Sequence, residues 1–416
     1  MADALAIGCL ACGGELSFDP ATGKLVCEYC GSSFTNEEID AAYKEKQEKA
    51  EAKGDGEITG EDDPENAGMH AFTCSTCGAE LLTDGNTGAS TCPYCGNNTI
   101  MPAQFTGSFK PDHVIPFKFK KEQAVAKYKE YYQKRKLIPK DFVASNRVEE
   151  IQGVYVPFWL FDGTIGIRGL YEAKDKYDRG EYIEIKEYRV LREGTVDFRN
   201  VPADASKRMD DALMDSIEPY NFAELKDFSM SYLPGFLAEK FDVEDKDDID
   251  RIEKRLKNTA DEKARATIKH NSVSAENLDF KIEYSDRHYA LLPVWMLTTN
   301  WQSNKYTFAM NGQTGKFIGD LPVDKGKLTA LVAVIFIIAF IIGMILFGHD
   351  ENGDTTLMMP IIIGVVAAAI GGGAAYGSMK PVAIKHEARE YMDSINITSA
   401  QDDYIRTVRQ QKEKPQ

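Results

Sequence analysis

Hydrophobic and polar positions divide the chain into regimes, and the sharpest boundary lies near its C-terminal end. From Leu328 to Gly348 and from Leu357 to Met379 no charged side chain occurs. Each stretch reaches the roughly 20 apolar residues that a helix needs to cross a bilayer. Only His349 to Thr356 separates them. The pattern predicts a transmembrane hairpin, with helices over 328–348 and 357–379 and an extracellular turn over 349–356. A buried helical hairpin in a soluble core is the alternative, and two consecutive charge-free stretches of this length are uncommon there. The turn carries Asp350, Glu351 and Asp354 and no Lys or Arg, whereas Lys325 and Lys327 precede the first stretch and Lys380, Lys385 and Arg389 follow the second. The positive-inside bias then puts both flanks, and with them both termini, in the cytoplasm of a plasma-membrane protein.

Residues 105–322 alternate between strand-like and helix-like patterns, as expected of one cytosolic α+β domain with a mainly antiparallel sheet. Val154-Tyr-Val-Pro-Phe-Trp-Leu-Phe161 is a nearly all-apolar run of β-branched and aromatic residues. It reads as a buried strand, with Pro157 at an edge or bulge because proline cannot donate to a ladder. Leu291-Leu-Pro-Val-Trp-Met-Leu297 repeats its Pro-x-Trp order. Two related strands packed in one sheet, or a chance likeness, both account for the repeat; in either case Trp159 and Trp295 read as core. Tyr182 to Thr195 alternates as a strand, and Ser206 to Ile217 and Asp247 to Ile268 read as helices, the second with Ile249, Ile252, Leu256 and Ile268 on one face. A hairpin over Tyr306 to Ile318 turns at Asn311-Gly-Gln-Thr-Gly315, whose Asn and glycines accept positive φ.

The N-terminal hundred residues have another signature. All eight cysteines lie there, in CxxC pairs: Cys9, Cys12, Cys27 and Cys30, then Cys74, Cys77, Cys92 and Cys95. Both sets share CxxCGxEL, an Asp, a Thr-Gly turn and CxYCG, so the unit is duplicated. Two CxxC knuckles supply four thiolates, which fill a tetrahedral zinc sphere and leave no position for substrate. The expectation is two structural zinc ions in two small four-cysteine zinc ribbons, over 1–34 and 71–104. A rubredoxin-like iron site, thioredoxin-like redox pairs and disulfides are the other chemistries open to these spacings. Between the ribbons, residues 35–70 are charged and poor in apolar side chains, predicting a short solvated helix and a flexible acidic linker that frees the first ribbon to move.

Charge and motifs narrow the function. A net charge of −16 argues against nucleic acid as a partner. The stretch from Lys110 to Lys140 is the local exception: Lys118, Lys120, Lys121, Lys127, Lys129, Lys134, Arg135 and Lys136 outnumber its acids. A solvated helix face and a contact with anionic lipid both account for it. Gly315-Lys316 imitates the end of a phosphate loop, but Met310 and Phe317 stand where that loop needs Gly and Ser or Thr. The six histidines, at 70, 113, 270, 288, 349 and 386, fall in no HExxH, and GxSxG is lacking, so no enzyme is indicated. In the second span Gly373-Ala-Ala-Tyr-Gly377 is a close-packing step, with the first span or a second copy of the chain as its partner. The tail, 380–416, is expected to form one or two short helices from Glu387 onward.

The CxxCG ribbons, Val114-Ile-Pro-Phe-Lys118, Gly153-Val-Tyr-Val-Pro-Phe-Trp-Leu-Phe-Asp162, Leu292-Pro-Val-Trp295 and Asn311-Gly-Gln-Thr-Gly-Lys316, in that order, resemble the bacterial TFIIB-type zinc-ribbon membrane proteins, mostly of Gram-positive bacteria. Members of that family have often been labelled primosomal helicase-like; this sequence holds no helicase core. The resemblance implies a membrane anchor in an envelope-stress system, recruiting a cytosolic SPFH-domain protein and phage-shock-type proteins. The sequence thus reads as a membrane-anchored zinc-ribbon adaptor that contacts lipid and a protein partner, with self-association as a further option. A membrane-tethered nucleic-acid binder is the alternative.

Overall fold

Strands about four to five times the usual length carry the fold. The computed structural model describes residues 2–4, 7–52, 69–74, 80–84, 87–91, 98–101, 110–145, 148–348 and 357–411. Short strands come first: β1 (Ala2–Ala4), β2 (Leu16–Asp19), β3 (Lys24–Cys27) and β4 (Ser33–Phe34) precede helix α1 (Asn36–Ala52). β5 (Met69–Cys74), β6 (Glu80–Asp84), β7 (Thr87–Thr91), β8 (Asn98–Ile100) and β9 (His113–Val114) follow, then α2 (Lys121–Gln133) and α3 (Lys140–Ser145). The long strands are β10 (Gln152–Asp178), β11 (Tyr182–Asp204) and β14 (Ser272–Trp301). Among them sit α4 (Asp211–Ile217), β12 (Lys226–Asp227), β13 (Leu237–Glu239) and α5 (Ile249–Arg265). β15 (Asn304–Asn311), β16 (Phe317–Gly319), α6 (Lys325–Phe347), α7 (Met358–Gly377) and β17 (Asn396–Gln411) complete the described strands and α-helices.

β10 is the spine of a mainly antiparallel sheet, flanked by β11 and β14. Its two halves read differently in sequence because they are buried differently. Val154 to Phe161 is apolar throughout because both faces are covered: Val154, Val156, Phe158 and Leu160 join one core cluster with α4. Tyr155 joins another with Trp295 and Phe117. Beyond Phe161 the pattern alternates, since only one face is covered; Ile165, Ile167 and Tyr171 pack under Ile252, Leu256 and Ala260 of α5. The two Pro-x-Trp segments lie side by side, with Tyr155 opposite Pro293 and Gly153 opposite Trp295. Trp295 is buried and Trp159 half-buried.

Several expectations are corrected. Pro157 is at neither an edge nor a bulge but inside the central strand, at the gap where β10 passes from β13, paired at Val154 and Tyr155, to β11, paired from Phe158. No ladder donor is needed there. In the 311–315 turn only Gly315 adopts positive φ, at 75°. Gly312 is required instead by close approach, for a Cβ would lie 2.7 Å from Pro293 and 2.8 Å from Phe117. In the tail after the membrane segment the helix is limited to one short 3-10 turn, Arg389–Tyr391; the rest expected as helix is strand, for β17 runs antiparallel to β11 from Thr195 to Tyr182 and forms an edge of the sheet. Its Asn396-Ile-Thr-Ser start and Tyr404, Ile405 and Val408 suit a strand.

α6 and α7 are two apolar helices long enough to cross a membrane. They pack antiparallel through Pro360, Gly364, Ala368 and Gly372, one residue per turn of α7. A Cβ on Gly364 would meet Phe336 at 2.8 Å and one on Gly372 would meet Val332 at 2.7 Å. Gly373 and Gly377 meet nothing within 4 Å. The packing stripe is therefore 360/364/368/372; Gly373 is rotated about 100° from Gly372, more than a quarter of a turn, so the 373/377 step expected from the sequence lies off the contact.

Candidate metal centre

β2, β3 and β4 form a three-stranded ribbon; Cys9 and Cys12 lie in the turn closed by the Gly8–Glu15 bridge just before β2, Cys27 ends β3 and Cys30 lies in the β3–β4 turn. In each knuckle the CxxC pair is followed by a glycine that reverses the chain: Gly13 and Gly31 adopt φ of 75° and 70° and donate their N–H to the carbonyls of Cys9 (2.8 Å) and Cys27 (2.9 Å). Only glycine holds that conformation without strain. The knuckles thereby aim their sulfurs at one point. Cys9 Sγ lies 3.5 Å from Cys30 Sγ, Cys12 Sγ lies 3.6 Å from Cys27 Sγ, and all four fall within 4.8 Å of one another. Sulfurs at the usual Zn–S distance of about 2.3 Å form a tetrahedron with edges of about 3.8 Å. These four fit such an ion. They are free thiols, far from the S–S bond of about 2.0 Å that a disulfide needs.

Protonation points the same way. Cys30 is drawn down to about 6 by its hydrogen bond with the Ser32 hydroxyl and by the Ser32 backbone N–H. The Gly14 N–H lowers Cys12 as well, but the neighbouring thiols of Cys30 and Cys27 outweigh it and push Cys12 up to about 12. Negative charge on one sulfur thus suppresses it on the next, and a bound cation relieves that conflict. Ser32, directly after Cys-Gly, is a site residue the spacing argument passed over.

The second set stands differently. Cys74 ends β5, while Cys77, Cys92 and Cys95 lie outside the described residues.

The first ribbon is not a freely moving module, and the helix after it is not simply solvated. Thr35 and Glu38 close a capping box at the start of α1, the Thr35 N–H donating to Glu38 Oε2 (2.8 Å) and the Glu38 N–H to Thr35 Oγ1 (3.3 Å). Ile39 and Tyr43, four residues apart on one face, are buried with Leu16, Phe18 and Leu25 of the ribbon. The Tyr43 hydroxyl accepts from the Gly8 N–H (3.0 Å) and donates to the Gly8 carbonyl (2.8 Å), bracing the first knuckle. Ser229 Oγ donates to the Asp40 carboxylate (2.7 Å), the Phe18 N–H to the Pro234 carbonyl (3.0 Å), and Lys120 pairs with Asp19 (2.8 Å). Two buried residues suffice to dock a helix that is otherwise polar. The Ile39/Tyr43 spacing was the available signal, diluted by the charges around it.

The knuckles present Leu10 and Tyr29, 45% and 80% exposed. They sit inside the two CxxC turns.

No protein-family model and no solved structure matches the chain. It is 32% identical over 332 residues to the uncharacterized protein YdjG of Bacillus subtilis (strain 168), an alignment spanning 77% of this chain and 91% of that relative. With so much of the relative covered, the chain belongs to the YdjG family.

Proposed function

We propose that the chain is a membrane-anchored zinc-ribbon adaptor of the TFIIB-type, with two structural zinc ions and no catalytic activity. In this reading it lies in the plasma membrane with both termini cytoplasmic and recruits cytosolic proteins of the SPFH or phage-shock type. The observation that carries it is the four-sulfur cluster, a donor set with no place for substrate, mounted on a platform continuous with two apolar helices. Leu10 and Tyr29 on the knuckles give a partner apolar side chains to recognise. Hydrogen bonding around the helices supports a hairpin with both flanks on one side: the Leu321 N–H, before α6, donates to the Met379 carbonyl, after α7, at 2.9 Å.

Crosslinking in membranes, with recovery of the full chain, tests the proposal. Expected is an SPFH-domain or phage-shock-type protein that is lost on Leu10→Asp/Tyr29→Asp substitution. Metal analysis should return two zinc ions per chain. Fewer than one zinc per chain, or no ribbon-dependent partner under any growth or stress condition, overturns the proposal.

A further inference from the structure

The charge run from Lys110 to Lys140 is split by the fold into two parts with different duties. Lys118 and Lys120 are paired, with Glu224 and with Asp19 of the first ribbon. The segment after α2 is held at the foot of the first apolar helix: the Asp324 N–H donates to the Leu137 carbonyl (2.8 Å), and Lys327 Nζ donates to the Ile138 carbonyl (2.6 Å). Asp324 is the N-cap of α6. Lys136 is next to Leu137, and Lys140 is two residues beyond Ile138, so both flank the start of α6 together with Lys325.

Helix length sets the depth of that start. The 23 residues of α6 measure about 34 Å at 1.5 Å per residue, against a hydrocarbon layer of about 30 Å. Its first residues therefore stand among the headgroups. Neighbouring cations are used internally: Lys134 pairs with Glu130, Lys380 with Asp320, and Arg135 lies over the Tyr131 ring. Lys136, Lys140 and Lys325 are exposed and have no ion-pair partner among the described residues; of the acids near them in sequence, Asp324 is engaged by Lys327 and Asp320 by Lys380, leaving Asp141. Half-buried Trp301 and Tyr306 meet Phe142 of α3 edge-on in the same region, the residue types that settle at a membrane interface.

We propose that Lys136, Lys140 and Lys325 form an anionic-lipid contact surface, seating the platform on the headgroups rather than leaving it on a free tether. The inference rests on the membrane reading above. Three lysines cannot decide membrane residence when two apolar helices are present; they decide which lipids surround the chain and how the ribbon is held relative to the bilayer.

The test uses the full chain in two arms. Flotation with neutral phosphatidylcholine vesicles reads membrane insertion, and a chain that does not float overturns both readings. For the second arm, delipidated chain in neutral detergent is offered equal phosphatidylglycerol and phosphatidylcholine, and bound lipid is counted by native mass spectrometry. Phosphatidylglycerol should be retained at least fivefold over phosphatidylcholine in low salt. That preference should vanish in 0.5 M salt and in K136Q/K140Q/K325Q, while K176Q/K226Q/K269Q, on other parts of the platform, keeps it. A chain that floats but retains the two lipids equally, or a triple variant that keeps the preference, overturns this inference alone.

Discussion

Replacing Arg255 by Met should be among the most damaging single changes in the platform. Arg255 and Glu218 are each 1% exposed and meet in a two-point contact, Nη2 to Oε2 at 2.7 Å and Nη1 to Oε1 at 3.2 Å. The same guanidinium donates to the Pro202 carbonyl (3.0 Å) at the end of β11 and to the Glu387 carbonyl (3.3 Å) beyond the second apolar helix. One side chain thus ties α5 to three other segments. Removing one partner of a buried pair costs about 3–5 kcal/mol, because the other is left charged in a poor solvent. Lys385, 3.4 Å from Glu218, retains part of the compensation, which puts the expected loss near the lower end, about 3 kcal/mol. Arg255→Met/Glu218→Leu removes both charges and should recover about 1–2 kcal/mol. It should not recover everything, since the Pro202 and Glu387 carbonyls still lose a donor. Urea unfolding of the full chain in neutral detergent, followed by the emission of Trp159, Trp295 and Trp301, measures the changes. At a slope of about 2 kcal/mol per molar, the single variant should unfold about 1.5 M earlier. A single variant within about 0.5 kcal/mol of the parent, or a double variant worse than the single, would refute the reasoning.

Further outcomes follow from the same structure. Asp204 is held up at about 7 by burial, against the pull of Arg251; the folded chain keeps a proton there that the unfolded chain releases near pH 4. Stability from this group is therefore full below about pH 4 and lost as pH rises through 7, a change on the order of 4 kcal/mol. Asp204→Asn should flatten the dependence of the urea midpoint between about pH 4 and 7, and an unchanged slope would assign it elsewhere. Gly364→Leu should drive α6 and α7 apart against Phe336, while Gly377→Leu, facing open space, should be tolerated; crosslinking yield between the two helices distinguishes them. Chelating the metal should open the first ribbon to protease at Leu10 and Tyr29 while the three-tryptophan signal of the platform persists. Deleting 396–416 removes the partner of β11 over Tyr182 to Thr195 and should convert a paired strand into an open edge, read as concentration-dependent aggregation.

The sequence determined what depends on neighbours along the chain. Charge-free length marked both apolar helices, CxxCG spacing marked the knuckles of the first ribbon, and the run from Val154 to Phe161 marked the strand buried on both faces. These are local facts of hydropathy and backbone geometry, so a single chain reveals them. Tertiary structure alone decided matters of partnership. Docking of the first ribbon turns on Tyr43 meeting Gly8 and Asp40 meeting Ser229, contacts separated by up to 189 residues. β17 became a strand because β11 offers it an edge, and Pro157 is tolerated because two other strands change over beside it. Which glycines face the neighbouring helix depends on the rotation of α7 about its axis, which 373/377 spacing does not specify. Arg255 looked like one more charge on an amphipathic helix; only the arrival of Glu218 and Glu387 around it makes it a buried tie. Propensity and spacing are set by the chain's covalent order, whereas burial and pairing are set by whichever distant segment fills the remaining space.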